Sequence, residues 1–228
     1  MTTDFKDSVQ AFVAELRTAR NGRYGISSVL KQSMNNVEVT LSRLIGNDPN
    51  YTVRSSVGAG NWANVAWIAV LDKQVTQSTQ NGYYISMLFN YDLTRLYIGL
   101  GLGVTRYQNE LGQKVMDQHV KELRLALGAA LDDLTDLIWD GSLDFGVTGK
   151  LPDGYKRATV FTKLFDVNSL PDDGELGTYL NRITHAHDEA LPLLTQLQST
   201  ATDTSMPAVL KDGSNQAMEL NAVNRPGF

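Results

Sequence analysis

The hydrophobic pattern of this chain changes period four times, and that restricts it to a few architectures. Residues 4–20 place Phe5, Val9, Phe12, Val13 and Leu16 at spacings of three and four, with Asp4 as a cap, so an amphipathic helix is predicted there. Residues 26–45 repeat the pattern through Ile26, Val29, Leu30, Met34, Val37, Leu41, Leu44 and Ile45, and "GNDPN" ends it. Then the period shortens. "YTVRSSV", "VAWIAVL", "GYYISMLF" and "TRLYIGLGL" are short runs rich in Val, Ile, Tyr and Trp, joined by polar or glycine-rich links. They read as four strands of a sheet, mostly antiparallel. Three glycines alternate with apolar residues in "YIGLGLGVT", the mark of a bulge or a close backbone approach. Helical spacing returns over 110–139, "WDGSLDFGVTGKLPDGY" is loop-rich, and "RATVFTKLFD" reads as a further strand. "SLPDDGELGTYLNRITHAHDEALPLLTQL" reads as a helix with "PDDGEL" as its start signal.

The 228 residues suit one domain over 1–200, followed by a polar tail at 201–228 that reads as a linker or disordered end. With 42% hydrophobic and 20% charged residues the chain can bury a sizeable core. It has no cysteine, which excludes disulfides and thiolate metal sites and fits a reducing cytoplasm. The N-terminus is amphipathic and acidic, unlike a signal peptide, and no apolar run nears the ~20 residues that span a bilayer. The net charge of −5 argues against a general nucleic-acid binder. The charge is uneven: residues 1–71 carry 7 Lys/Arg against 5 Asp/Glu, and residues 111–200 carry 8 against 14. An anionic partner meets less repulsion in the first half.

The common chemical motifs fail on inspection. Gly58-Ala59-Gly60-Asn61-Trp62-Ala63 mimics a dinucleotide fingerprint, but a strand follows it instead of a helix and no acid closes the unit. "GVTGKL" lacks the earlier glycine and the Ser/Thr of a phosphate loop. His185 and His187 point to different faces of a helix, which makes a poor ligand pair, and His119 is isolated; surface histidines are expected. Asp132, Asp133 and Asp136 read as the solvated face of a long helix. No nucleophile and base stand out, so no catalytic residue, metal or cofactor is expected. The aromatics are the stronger signal. Tyr83 and Tyr84 are consecutive on a strand, so they face opposite sides of the sheet. Either both sides are covered by helices, or one tyrosine faces something else.

Residues 51–105 carry three ordered anchors. They are G-x-G-N-aromatic before a strand with a central Trp, N-G-x-Y opening the next strand, and D-x-x-R-L-Y before a glycine-bearing strand. In this the chain resembles the N-terminal DNA-recognition domain of McrB-type, modification-dependent restriction systems. "GYKRATVFTKLFDVNSLPDDGELGTYLNRITHAHDEALPLL" is similar to the family's closing strand and helix, more loosely. The resemblance implies an α+β fold with a central, mostly antiparallel sheet flanked by helices. It implies a non-catalytic, cytoplasmic specificity domain that recognises double-stranded DNA with a methylated base, 5-methylcytosine first, by flipping that base into an aromatic pocket. By position, Trp67, Tyr84 and Leu88 match the family's pocket residues, and Tyr155 in "LPDGYK" completes the pocket. Tyr84 then faces the base and Tyr83 the helices. The expected partners are modified DNA and a downstream motor or nuclease domain or subunit, with no membrane.

On the same resemblance, Gly58, Ala59, Gly60, Asn61 and Trp62 form a loop pressed into the duplex. The family's best-known member has a tyrosine between the two glycines, where this chain has Ala59. A methyl group cannot plug a base-sized hole. Either Trp62, Asn61 or a side chain of the 72–81 loop is the wedge, or the flip is less complete, or another modification is read. Trp62 reads equally as an anchor for its loop. Arg20, Arg23, Arg43, Arg54 and Lys73 flank the reading loops and are the candidate phosphate contacts. The competing expectation is a protein-interaction or small-ligand domain on the same scaffold.

Overall fold

A computed structural model describes residues 3–128, 131 and 134–204. Helix α1 (Phe5–Arg20) starts where the Asp4 carboxylate accepts the Asp7 amide at 2.7 Å, and α2 (Ser28–Leu44) where the Ser27 hydroxyl accepts the Leu30 amide at 3.1 Å. Their apolar stripes meet in one core through Phe5, Phe12, Leu16, Leu30, Val37 and Leu41. Strands β1 (Tyr51–Ser56), β2 (Trp67–Asp72), β3 (Tyr83–Phe89) and β4 (Arg95–Leu102) follow as a meander. A short turn, α3 (Val104–Arg106), runs into a π-helical turn at Tyr107–Leu111 and then α4 (Gln113–Gly128). The chain closes with β5 (Leu137–Ile138), α5 (Lys150–Ala158), β6 (Thr159–Asp166) and α6 (Asp173–Thr204). The sheet order is β1-β2-β3-β4-β6-β5 with every pair antiparallel, so the fold is the expected α+β.

The period-2 alternation sorts the strand side chains onto two unequal faces. Ile68, Val70, Tyr83, Ile85, Met87, Phe89, Leu96 and Ile98 join the main core with the apolar faces of α1, α2 and α6. The opposite face carries Trp67, Ala69, Tyr84, Ser86, Leu88 and Tyr97. It is covered only in part, by Leu143 and Phe145 of the loop after β5 and by α5. Tyr83 and Tyr84 therefore do face opposite ways. Tyr83 lies in the helix-covered core and Tyr84 packs with Ala69, Leu71 and Trp67 on the other side.

Three expectations need correction. The helix expected over 110–139 ends at Gly128, and Leu137 and Ile138 pair as a strand with Lys163 and Thr162. The three-and-four spacing of Leu131, Leu134 and Ile138 suits a helix, but pairing with β6 outcompetes it at Leu137 and Ile138. Asp136 accordingly lies in a turn with φ 62°, off any helix, while Asp132 and Asp133 lie outside the described residues. Tyr155 sits on α5 rather than in a loop. Pro152 is in the first helical turn, where its missing N–H costs nothing. Gly154 is required there because a Cβ would stand 2.6 Å from Val104 Cγ1. His119 and His187 are buried rather than at the surface; the Tyr107 hydroxyl meets His119 Nδ1 at 2.7 Å. Of the 201–228 tail, residues 201–204 continue α6 and 205–228 lie outside the described residues.

Candidate functional site

The half-covered face of the sheet holds a cavity of about 320 Å³. Trp67 and Ala69 of β2, Tyr84, Ser86 and Leu88 of β3, and Gly101 of β4 line it from the sheet side. Trp67 of β2 is the register partner of Leu88, and Gly101 of β4 that of Tyr84; Tyr84 and Leu88, four residues apart on β3, face the same side. Leu151, Tyr155 and Ala158 of α5 close it from above, Thr79 and Gln80 form one rim, and Ala59 another. All four residues expected to form a pocket thus line one cavity: Trp67, Tyr84, Leu88 and Tyr155.

Gly101 makes space for it, whereas Gly99 and Gly103 admit neighbouring backbone. A Cβ on Gly99 would lie 2.0 Å from the Phe161 carbonyl oxygen, so this glycine admits the β6 backbone. Gly101 sits where the β4–β6 register shifts, and a Cβ there would make only ordinary contacts, with the Ala158 oxygen at 3.5 Å, Ser86 Oγ at 3.6 Å and Thr159 Cα at 3.9 Å. Its missing side chain is cavity floor. A Cβ on Gly103 would strike the Asn81 backbone at 2.5 Å.

The polar chemistry is concentrated in a few hydroxyls. Tyr84 is 7% exposed, and its hydroxyl donates to the Thr79 carbonyl at 2.8 Å, which ties the rim loop to the sheet. Burial, and then neighbouring Tyr155, push the Tyr84 phenol well above its ordinary pKa; burial does the same for Tyr155. Both stay neutral across the physiological range. Among the described residues the Ser86, Thr105 and Tyr155 hydroxyls have no protein hydrogen-bond partner. Each can donate or accept toward a polar edge placed in the cavity, while the aromatic and aliphatic walls suit a flat apolar face.

The loop beside the cavity is tight for a steric reason. Gly58 has φ 120°, and a Cβ there would lie 2.0 Å from the Asn61 oxygen and 2.7 Å from the Ala63 nitrogen. The Ala63 amide closes the loop on the Val57 carbonyl at 2.8 Å. Ala59, Gly60 and Asn61 form its exposed tip. Trp62 is held at the base: its indole N–H donates to the Gly22 carbonyl at 3.2 Å, and its ring meets Tyr24 edge-on at 4.9 Å. The Tyr24 hydroxyl in turn donates to the Gly58 carbonyl at 2.7 Å. The α1–α2 connection and the glycine loop are therefore one rigid unit, with Trp62 as its anchor.

The five basic residues divide. Arg23 is exposed in the α1–α2 connection, next to the residue that holds Trp62. Arg54 is exposed on β1 in register with Ala69, on the cavity side of the sheet. Arg20 is half-buried and already engaged. Its guanidinium donates to the Tyr91 carbonyl at 2.6 Å and the Ala63 carbonyl at 2.7 Å, and burial lowers its pKa. It braces the loop instead of offering a free charge. Arg43 lies in the last turn of α2, roughly 22 Å along that helix from its start near the loop, and reaches the Thr3 carbonyl. Lys73 is exposed beyond β2, with its ammonium on the Pro49 carbonyl at 2.5 Å.

Several cavity residues escaped the sequence reading. Ser86 and Thr105 carry no motif, although Ser86 follows from Tyr84 and Leu88 once one face of β3 is fixed; Gly101 stands out only as one of three strand glycines, and Thr79 and Gln80 only as part of the 72–81 loop. Leu151 is 49% exposed and lines both this cavity and an adjoining hollow of about 410 Å³ under Trp62 and Asn61. Ala59, Trp67 and Tyr155 are likewise common to both. Among the described residues no helix is long and apolar enough to cross a membrane. A family model described as MrcB-like, N-terminal domain matches residues 12–190, more than half of the chain. No curated protein matches it.

Proposed function

Because the chain belongs to the MrcB-like N-terminal domain family, the DNA-binding domain of McrB-type systems, we propose that it is a specificity domain that recognises one modified base in duplex DNA. The base, a methylated cytosine in the first instance, rotates out of the helix into the cavity walled by Trp67, Tyr84, Leu88 and Tyr155. The observation that carries this reading is the convergence of those four side chains on one open cavity beside a rigid, exposed glycine loop. Cleavage belongs to a motor or nuclease domain or subunit that works with this one.

The energetics are coherent. Extraction of a base costs a few kcal/mol, and stacking on an aromatic returns ~1–3 kcal/mol. A buried methyl adds about 0.8 kcal/mol, which corresponds to only ~4-fold in affinity. Stronger methyl preference requires the cavity hydroxyls, chiefly Ser86 and Tyr155, to reject the wrong polar edge. Trp62 is the loop's anchor in this reading and not the wedge. Leu151, apolar and half-exposed on the rim with Ala59, is better placed to fill the gap left in the stack. Arg23 and Arg54 contact phosphates.

The test is a titration of duplexes that differ only at one site: cytosine, 5-methylcytosine, 5-hydroxymethylcytosine, N4-methylcytosine or, in an adenine series, N6-methyladenine. Two salt concentrations separate phosphate contacts from base reading. One modified duplex is expected to bind best, and Tyr84→Ala and Trp67→Ala, confirmed folded, are expected to lose the preference. A fluorescent base analogue at the target brightens when it leaves the stack. Equal weak binding to every duplex rejects the reading and leaves the cavity to a small ligand.

A further inference from the structure

The helix-covered face of the sheet contains a polar island, on the opposite side from the cavity. Tyr51 of β1 is in register with Asp72 of β2, and Tyr83 opens β3 beside them. Helix α6 lays His187 and Asp188 over this group. The His187 ring is 1% exposed and lies 4.7 Å from the Tyr83 ring. Its Nδ1 is 3.1 Å from Asp188 Oδ1, which also accepts the Tyr51 hydroxyl at 3.1 Å. Asp72, 5% exposed, accepts the Gln74 amide at 2.8 Å.

As it stands the island is incomplete. His187 Nε2 and the Tyr83 hydroxyl are both buried without a hydrogen-bond partner, which is costly inside a protein. Burial, and then the Asp72 charge, raise the Tyr83 phenol above its ordinary pKa. Among the described residues no lysine or arginine pairs with Asp72 or Asp188, and the neighbouring Lys73 reaches Pro49 instead. Two carboxylates and an imidazole nevertheless place one ligand atom each within 4.8 Å of one another.

We propose that Asp72, His187 and Asp188 bind a single divalent transition-metal ion, with zinc the best match to one imidazole and two carboxylates. Zinc takes His nitrogen and Asp oxygen in four-coordinate sites, whereas calcium and magnesium ask for more oxygens than this island holds. Water completes the coordination and gives the Tyr83 hydroxyl its missing partner. Tyr51 stays hydrogen-bonded to Asp188 and orients it, as outer groups do around metal ligands. The ion neutralises the carboxylates and fastens α6 to the end of β1, β2 and β3. Asp72 also starts the loop that supplies Thr79 and Gln80 to the cavity rim, since its carbonyl accepts the Val75 and Thr76 amides. The site is independent of what the cavity binds.

The experiment uses the full chain, stripped with a chelator, dialysed and titrated with zinc alone. One zinc per chain is expected, with a rise in Tm of about 5–10 °C at 100-fold excess over Kd. Asp72→Asn, which keeps the shape of the side chain, is expected to weaken binding more than ~100-fold, and Tyr51→Phe by ~10–100-fold. His185→Ala, whose ring pairs with Glu189 on the exposed side of α6, leaves zinc binding unchanged. If His187→Gln does not fold, nitrogen NMR of the wild-type His187 ring replaces it; one ring nitrogen must shift on zinc addition. Absence of binding overturns the proposal and assigns the orphan atoms to a buried water. Binding that survives Asp72→Asn also overturns it, because the ion then sits elsewhere.

Discussion

Gly101→Val is the substitution that most directly probes whether a guest enters the cavity. The new Cβ would stand 3.5 Å from the Ala158 oxygen, 3.6 Å from Ser86 Oγ and 3.9 Å from Thr159 Cα, all ordinary contacts. Gly101 has no positive φ, so the strand accepts a side chain, and β-branched residues favour strands by up to ~1 kcal/mol. The fold should therefore be unharmed and Tm unchanged or raised. The two methyls have only the cavity of about 320 Å³ to occupy, opposite Tyr84. A base displaced from its stack on Tyr84 and Trp67 forfeits ~1–3 kcal/mol, which is a loss of about 5- to 150-fold in affinity for the preferred duplex. Phosphate contacts are untouched, so binding to unmodified duplex stays constant. Fluorescence anisotropy on both duplexes, beside a thermal melt, reads all three quantities. A folded variant with an undiminished preference for the modified duplex would refute occupation of this cavity. Gly99→Ala is the counterpart. Its Cβ would lie 2.0 Å from the Phe161 oxygen, and a lowered Tm is expected before any ligand is added.

Other outcomes follow from the same geometry. Arg23→Ala and Arg54→Ala should each flatten the slope of log affinity against log salt by ~0.9 without change in Tm, whereas Arg20→Ala should lower stability by ~1.5–3 kcal/mol per charged hydrogen bond lost, read by urea unfolding. Tyr84→Phe keeps the ring and loses only the bond to the Thr79 carbonyl, so it should cost ~0.5–1.5 kcal/mol of stability and retain the base preference that Tyr84→Ala abolishes. Burial lowers the His119 pKa below the ordinary 6.5, so the folded state resists protonation that the unfolded chain accepts. Stability is then full above pH 6.5 and falls as pH drops below it. Urea melts from pH 7.5 to 5 should show that fall, and it should be smaller in His119→Gln.

The boundaries of the site were legible because they rest on local physics. Period-2 alternation requires Tyr83 and Tyr84 to part, and it puts Tyr84, Ser86 and Leu88 on one side whatever surrounds them. Asp4 and Ser27 cap their helices because a short polar side chain satisfies the first free amides, with no help from afar. Gly58 and Gly60 had to sit in a loop, since their positive φ suits no other residue well. None of this reveals what a residue meets across space. Arg20 and Arg23 are alike in sequence, yet only the fold turns one onto two carbonyls and leaves the other in solvent. Gly99 and Gly101 share a strand face, and only the bulge against β6 makes one a close approach and the other a cavity floor. His187 looked like a surface residue beside His185 until α6 laid it over Asp72, far away in the chain. Short-range order is written in side-chain period and backbone preference. Cavities, orphaned polar atoms and engaged charges arise when distant segments are packed at fixed register, and that packing belongs to the whole chain at once.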